Sequence, residues 1–403
     1  MDNTDQPSDL SSPAESHNPV GVRSLKELID LVSGKNILTD LVQEDSGLAE
    51  VLPFPFLGLV GQMEMKLALL LSLINPAIGG VLLIGPRGTG KTTAVRSLLN
   101  LLPEIKRSSC FYGCTEEDIE AGGMDAICPD CAQKYAQGMP LTQVDSVRLV
   151  ELPLNAQLED VIGSIDDRVG IHERHRLKRG ILAQADQNVL YIDEVNLLGN
   201  DIVDSILDAA ANGRYNIKRN EIRASYNARF SLVGSMNPEE GDIRPQIMDR
   251  FGLRVVVRGL TDPDDRLEAY QRVRLYRSNP HRIIRQYQEM TSMARDEIIS
   301  ARQSLPQIVL SDGVARHGID LIRQLHIDSL RAEITLLEAA RAYTAADNRL
   351  EVTLMDIAQV APMALRLRRS DFINQYFSDR KLEDVELNLA ISTLLPKNPT
   401  SER

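Results

Sequence analysis

The sequence predicts an α/β fold, with a parallel sheet flanked by helices and a mostly helical region after it. Three observations predict it. Five short apolar runs, GGVLLIG (79–85), VRLVELPL (147–154), NVLYIDEV (188–195), FSLVGSMN (230–237) and LRVVVRGL (253–260), mostly alternate with helical patterns, as strands do in βαβ units. The first run leads straight into GPRGTGKT (85–92), a loop type that belongs between a strand and a helix. From Thr261 onward strand signals stop.

Taken in order, residues 1–22 are rich in Ser, Pro, Asp and Asn and have little to bury, which predicts disorder. Leu25, Leu28, Ile29, Leu31 and Val32 fall at helical spacing, so a short helix is expected within 23–43. MEMKLALLLSLI (63–74) reads as a second helix. GGVLLIG is a glycine-bounded apolar run, as a central parallel strand should be. TTAVRSLLNLL (92–102) continues as a helix, followed by a polar insertion. Helices are expected in DRLEAYQRVRLY (265–276), 280–302, SDGVARHGIDLIRQL (311–325) and SLRAEITLLEAARAYTAA (329–346). The tail ends in an amphipathic pattern, LEDVELNLAISTLL (382–395). The expected organisation is an N-terminal extension over 1–50 and an α/β core over 51–260 with a cysteine-bearing insertion at 106–146. A helical linker over 261–300, a helical domain over 301–372 and a tail over 373–403 follow.

Bulk properties exclude several classes. The 403 residues are 43% apolar and 25% charged, with a net charge of −12. That composition suits a globular protein and argues against nucleic-acid binding through a general basic surface. Aromatics are 4% and Trp is absent, so no base-stacking platform is expected. The apolar stretch LALLLSLINPAIGGVLLIG is broken by Asn75, Pro76 and a Gly pair, too interrupted for a membrane span. The acidic N-terminus has no signal-peptide pattern. A cytoplasmic chain with reduced cysteines is the expectation.

GPRGTGKT fits G-x-x-x-x-G-K-[ST] in full. Gly85, Gly88 and Gly90 allow backbone dihedrals closed to other residues, so N–H groups can turn onto phosphate oxygens. The expected nucleotide-binding set is Gly85, Pro86, Arg87, Gly88, Thr89, Gly90, Lys91, Thr92 and Thr93, with ATP and Mg²⁺ as cofactors. Lys91 should bridge the β- and γ-phosphates, and the Thr92 hydroxyl should ligate Mg²⁺. NVLYIDEV runs into Asp193 and Glu194, paired carboxylates that would be costly at a buried strand end without a cation. Asp193 suits a Mg²⁺ ligand and Glu194 a base that orients water. Asn237, at the end of a strand, could hold that water; alone it reads equally as a turn residue. Arg250, in MDRFG, could reach a neighbouring subunit's γ-phosphate. It could as well be paired with Asp249 or Glu239.

All four cysteines lie in the insertion, with the spacing C-x₃-C-x₁₃-C-x₂-C: Cys110, Cys114, Cys128 and Cys131. A closed structural Zn²⁺ site, an iron–sulfur cluster and four unliganded thiols are all open readings. The position at the rim of the core separates the segment from the hydrolytic residues.

Several stretches together resemble the AAA+ ATPase subunit of magnesium chelatase, a member of the chelatase/MoxR-like clade. They are FPFLGLVGQMEMKLALLLSLINPAIGGVLLIGPRGTGKTTAVRSLLNLLPEI, VELPLNAQLEDVIGSID, GILAQADQNVLYIDEVNLL, ARFSLVGSMNPEEGDIRPQIMDRFGLR and SLRAEITLLEAARAYTA. The likeness spans about residues 53–370. It implies an AAA+ core with a helical lid and ATP hydrolysis that drives Mg²⁺ insertion into protoporphyrin IX in (bacterio)chlorophyll biosynthesis. It also implies a homo-oligomeric ring, a hexamer, working with an integrin/VWA-domain AAA+ subunit and a large porphyrin-binding subunit. By position it makes Lys91 and Thr92 Walker A, Asp193 and Glu194 Walker B, Asn237 sensor 1, Arg250 the arginine finger and Arg331 the sensor 2 arginine.

The family's two insertions would fall in IGSIDDRVGIHERHRLKRGIL (162–182) and NGRYNIKRNEIRASYNARF (212–230). These basic segments could meet a partner, line a pore or simply be solvated. The chain departs from the family at SMN, where SGN is usual, at HERHRLKRG and in the cysteine segment. An alternative is a chelatase-like ATPase that remodels another client through an integrin/VWA partner, or serves a cobalt chelatase, because a motor does not determine its client.

Overall fold

The computed structural model describes residues 52–102, 104–110, 114–166, 176–219 and 222–369. The helices expected within 23–43 and at 382–395 lie outside the described residues. The strands, in chain order, are β1 (Val81–Ile84), β2 (Glu104–Ser108), β3 (Thr142–Ser146), β4 (Leu149–Leu152), β5 (Gly163–Asp166) and β6 (Arg176–Arg179). They continue with β7 (Val189–Ile192), β8 (Arg214–Arg219), β9 (Ile222–Asn227), β10 (Ser231–Met236) and β11 (Leu253–Val256). The five strands expected from sequence form one sheet in the order β11-β1-β10-β7-β4, with every neighbouring pair parallel.

Parallel pairing brings the chain segments after β1, β7 and β10 to one end of the sheet, where ligands of open α/β sheets bind. Residues alternate between the two faces, as a strand's two-residue period requires. Val81, Leu83, Val189, Tyr191 and Val233 enter an apolar cluster shared with the helices Met63–Ile74 and Lys91–Ser97. Leu82, Ile84, Leu190, Ile192 and Leu232 enter a second cluster with helix Asn200–Asn212. All four residues of β1 and of β7 are buried, which is why both read as unbroken apolar runs.

The helices of the C-terminal half are Pro263–Ser278, Pro280–Ser304, Asp312–Gln324, Leu330–Ala346 and Leu354–Leu365. Their starts follow from side-chain caps. Asp262 accepts from Asp264 N with Pro263 next in line, Asn279 accepts from Arg282 N ahead of Pro280, and Ser311 accepts from Val314 N. The last of these helices was not anticipated; Pro362 inside it interrupts the helical pattern that sequence reading relies on. This region packs onto helix Met63–Ile74. Asn75 Nδ2 donates to Glu338 O at 3.2 Å, Arg302 Nε donates to Leu73 O at 2.7 Å, and Ala332, Leu336 and Ala339 join the first apolar cluster.

The insertion is more ordered than its polarity suggests. β2 and β3 pair antiparallel from Glu104↔Ser146 to Ser108↔Thr142, with helices Glu116–Gly122 and Pro129–Ala136 between them. Neither strand has a fully buried residue, so there was no apolar alternation to read. Both basic segments contain antiparallel hairpins, β5–β6 and β8–β9. Among the described residues no helix is long and apolar enough to cross a membrane.

Candidate active site

The phosphate-type loop starts where β1 ends. A Cβ on Gly85 would sit 2.1 Å from Val257 O, so glycine is required there by close backbone approach. Gly85 N donates to Met236 O at 3.1 Å and Val257 N donates to Ile84 O at 2.7 Å, which ties the loop to the ends of β10 and β11. Gly88 and Gly90 have φ of +78° and +87°, with no atom within 4 Å of a built Cβ. There it is the backbone conformation that demands glycine, not space.

Lys91 is buried, and its Nζ donates to Gly85 O at 2.6 Å and Pro86 O at 2.8 Å. Burial lowers its pKa, opposed by Asp193, Glu240 and Glu194. Thr89 Oγ1 donates to Pro86 O at 3.0 Å.

Asp193 and Glu194 follow the end of β7, separated from β1 in the sheet by β10. Thr92 Oγ1 is 3.4 Å from Asp193 Oδ2 and 3.2 Å from the Tyr191 hydroxyl. That hydroxyl lies 2.9 Å from Asp193 Oδ1 and 3.1 Å from Ser235 Oγ, and Ser235 Oγ also donates to Asp193 Oδ1. Burial pushes the Tyr191 phenol far above its usual range, so it stays a neutral hydrogen-bonding group.

Neither Tyr191 nor Ser235 was singled out from sequence. The available signal was parity: Tyr191 precedes Asp193 by two residues and Ser235 precedes Asn237 by two, so each pair shares a sheet face. Glu194 has φ 53° and ψ 55°, a left-handed conformation that is strained for a non-glycine residue. Its N–H donates to Ser235 Oγ at 3.4 Å. Arg87 pairs with Glu194 at 3.2 Å and with Glu240 at 2.5 Å. Glu240 Oε2 is buried with no hydrogen-bond partner. Asn237 is buried, and its amide oxygen accepts from Glu239 N at 3.2 Å.

These residues suit a nucleoside triphosphate with a hard divalent cation. The loop is open at Gly88 and Gly90, one lysine is turned into it, and a hydroxyl and carboxylates supply the oxygen ligands such cations prefer. Beside the loop lies a cleft of about 540 Å³, lined in part by Leu59, Val60, Thr89, Thr93, Leu260 and Val273. Its largely apolar wall suits a flat heterocycle.

Arg250 and Arg331 stand elsewhere. Arg250 Nη1 is 2.7 Å from Asp208 Oδ1 and 3.7 Å from Asp204 Oδ1, both on helix Asn200–Asn212. Its acidic partners are therefore not Asp249 or Glu239, the two considered from sequence; Asp249 instead faces the helical region. Arg331 lies 4.0 Å from Asp249 Oδ2. Neither arginine bonds to the cluster around Lys91 among the described residues.

The four cysteines converge, with all Sγ atoms within 4.8 Å of one another. None forms a disulfide. Burial pushes the Cys114 thiol up to about 12. Burial also acts to raise Cys110, but hydrogen bonds with Ser108 and Cys114 hold it at about 7.

The family model described as magnesium chelatase, subunit ChlI, matches residues 166–258, and an AAA lid domain model matches residues 317–387. The chain is 41% identical over 336 residues to a magnesium-chelatase subunit ChlI homolog of Methanocaldococcus jannaschii, covering 82% of this chain and 90% of that protein. It is 38% identical over 333 residues to the magnesium-chelatase 38 kDa subunit of Acidiphilium rubrum, covering 82% and 95%. A solved structure of a candidate ATPase from Cytophaga hutchinsonii is similar in fold alone, with a TM-score of 0.50 and 18% identity over 83% of this chain and 91% of that one. With a P-loop on a parallel sheet, a helical lid and relatives of this closeness, the chain belongs to the magnesium-chelatase ChlI family of AAA+ ATPase subunits.

Proposed function

We propose that the chain is the motor of a magnesium chelatase and hydrolyses ATP in the cleft at the ends of β1, β7 and β10. This ATPase would drive insertion of Mg²⁺, as substrate, into protoporphyrin IX. The observation that carries the hydrolytic site is the network joining Thr92, Tyr191, Asp193 and Ser235. It connects the loop to the two strands that carry Glu194 and Asn237.

In this reading Lys91 leaves its carbonyl partners to hold the β- and γ-phosphates. Thr92 and Asp193 would hold the cofactor Mg²⁺, which would neutralise charge developing on the phosphates. Tyr191 and Ser235 orient the Asp193 carboxylate, as outer-shell partners do. Glu194 orients the attacking water and takes its proton, with Asn237 as a second contact. Arg87 holds Glu194 and Glu240 until phosphate competes for it.

Arg250 completes the site of the next subunit in a homo-oligomeric ring, and Arg331 acts from the lid. The Acidiphilium rubrum relative is described as a magnesium-chelatase subunit and the Methanocaldococcus jannaschii relative as a homolog of such a subunit. An integrin/VWA-domain AAA+ subunit and a porphyrin-binding subunit are the partners this reading requires.

Two measurements test it. Glu194→Gln should abolish hydrolysis while a fluorescent ATP analogue still binds; surviving hydrolysis would remove Glu194 as the base. Mixing the chain with those two subunits, ATP, Mg²⁺ and protoporphyrin IX should produce metalated porphyrin by fluorescence. Robust ATP turnover without metalation would overturn the chelatase assignment and point to another client.

A further inference from the structure

We propose that Cys110, Cys114, Cys128 and Cys131 hold a single Zn²⁺ in a closed four-thiolate site that knits residues 104–146 into a module remote from the hydrolytic cleft. Four thiolates at about 2.3 Å from one Zn²⁺ form a tetrahedron with edges of about 3.8 Å. The four Sγ atoms all lie within 4.8 Å of one another, close enough for all four to reach one metal ion in such a tetrahedron. An iron–sulfur cluster spreads its cysteines wider, because its four thiolates are divided over two or four irons rather than gathered on one metal. Two disulfides would use the thiols in pairs and would not require all four to converge.

The local backbone is arranged for sulfur ligands. Cys114 N donates to Cys110 Sγ at 3.3 Å and Cys128 N donates to Cys114 Sγ at 3.3 Å. Such bonds spread the negative charge of metal-bound thiolates. Cys128 occupies the N-cap position of helix Pro129–Ala136, whose positive end favours thiolate. Ser108 Oγ donates to Cys114 O at 2.6 Å and accepts from Cys110 N at 3.2 Å, which fixes the first pair against the end of β2.

The module also needs a staple. Its buried core is Cys114, Ile127, Cys131 and Leu141. Two aliphatic side chains are too few to order two strands and two helices, the situation in which small units rely on a metal. Ile119 and Ala132 pack against it only partly buried, and further ties are polar. The Glu116 carboxylate accepts from Leu141 N at 2.9 Å and from Thr142 N at 3.2 Å.

Placement makes the site structural. Arg107 on β2 donates to Asn188 Oδ1 at 2.8 Å, and Asn188 immediately precedes β7. Asp193 lies five residues on, about 17 Å along an extended strand. The module is therefore anchored at the opposite end of β7 from the carboxylates, and four thiolates leave no open position for chemistry.

The inference rests on the cysteine geometry and is independent of the ATPase reading. The test uses the full chain purified without chelator from zinc-supplemented cells, with metals counted by plasma mass spectrometry and native mass. One zinc per chain is expected, without iron or acid-labile sulfide. Titration with an organomercurial should release that zinc as four thiols react, while the Kd for a fluorescent ATP analogue changes less than about twofold. Cys128→Ser with Cys131→Ser should carry no zinc.

Fewer than about 0.1 zinc per wild-type chain, or stoichiometric iron with sulfide, would overturn the site, whether or not the variant folds. Zinc retained by the double variant would also overturn it. A loss of nucleotide affinity of tenfold or more on zinc release would overturn its remote placement.

Discussion

Replacing Asp249 by Ala tests the junction between the sheet and the helical lid. Arg368 Nη1 is 2.6 Å from Asp249 Oδ1, and Arg254 Nη2 is 3.3 Å from the same oxygen. The arginine side chains are 0% and 1% exposed, and that of Asp249 is 36% exposed. Burial and then the Arg368 charge lower the Arg254 pKa to about 9, and Asp249 opposes that shift. Removing the carboxylate leaves two buried guanidinium groups side by side.

Taking one partner from a buried ion pair costs about 3–5 kcal/mol. Partial exposure of Asp249 lets water screen the loss, so about 2–3 kcal/mol is expected here. At about 2 °C per kcal/mol for a chain of this size, the melting temperature should fall by about 4–6 °C. Differential scanning calorimetry reads this directly. Asp249→Asn, which keeps an acceptor but no charge, should fall between Ala and wild type. Arg331→Ala is the control: at 52% exposure and 4.0 Å it should shift melting by less than about 2 °C. If Asp249→Ala melts within about 1 °C of wild type, the carboxylate does not hold the junction.

Three further outcomes follow from particular contacts. Ser235→Ala should weaken Mg²⁺ binding in the nucleotide complex about tenfold by loosening Asp193, measured by calorimetric titration; unchanged affinity would deny Ser235 its positioning role. Arg250→Ala subunits should be inactive alone and regain turnover when mixed with Lys91→Ala subunits; absence of rescue would leave Arg250 as the ion-pair partner of Asp208. Burial acts to raise the Asp356 pKa, but Arg349 and Thr353 hold it below the usual carboxylate range. Its ionised form therefore stabilises the lid above the unfolded value of about 3.9, and that contribution is lost as pH falls through this region. Asp356→Asn should lower the melting temperature near neutral pH, with the gap narrowing between about pH 5 and pH 3; a gap independent of pH would contradict the sign.

Sequence alone carried the sheet and the loop because both are written in local residues. The runs VLLI and VLYI are buried on both faces, so unbroken apolarity identifies them as central strands. Glycines at 88 and 90 are dictated by a backbone conformation that few other residues adopt. The spacing of the four cysteines allowed a shared metal site beside an unliganded reading, and the structure brings all four together.

Tertiary structure decided what depends on partners distant in the chain. Tyr191 and Ser235 look like ordinary strand residues until the register Tyr191↔Val233 puts Ser235 diagonally beside Tyr191 on the same face, with its Oγ 3.1 Å from the phenol. Arg250 finds its acidic partners on helix Asn200–Asn212, and Asp249, its neighbour, turns to Arg254 and Arg368. Chain direction at one residue sends adjacent side chains to opposite structural tasks, and no local pattern records which neighbour goes where. The strands of the cysteine module escaped for the opposite reason: lacking a buried face, they are held by backbone pairing and side-chain hydrogen bonds, which leave no hydrophobic period in the sequence.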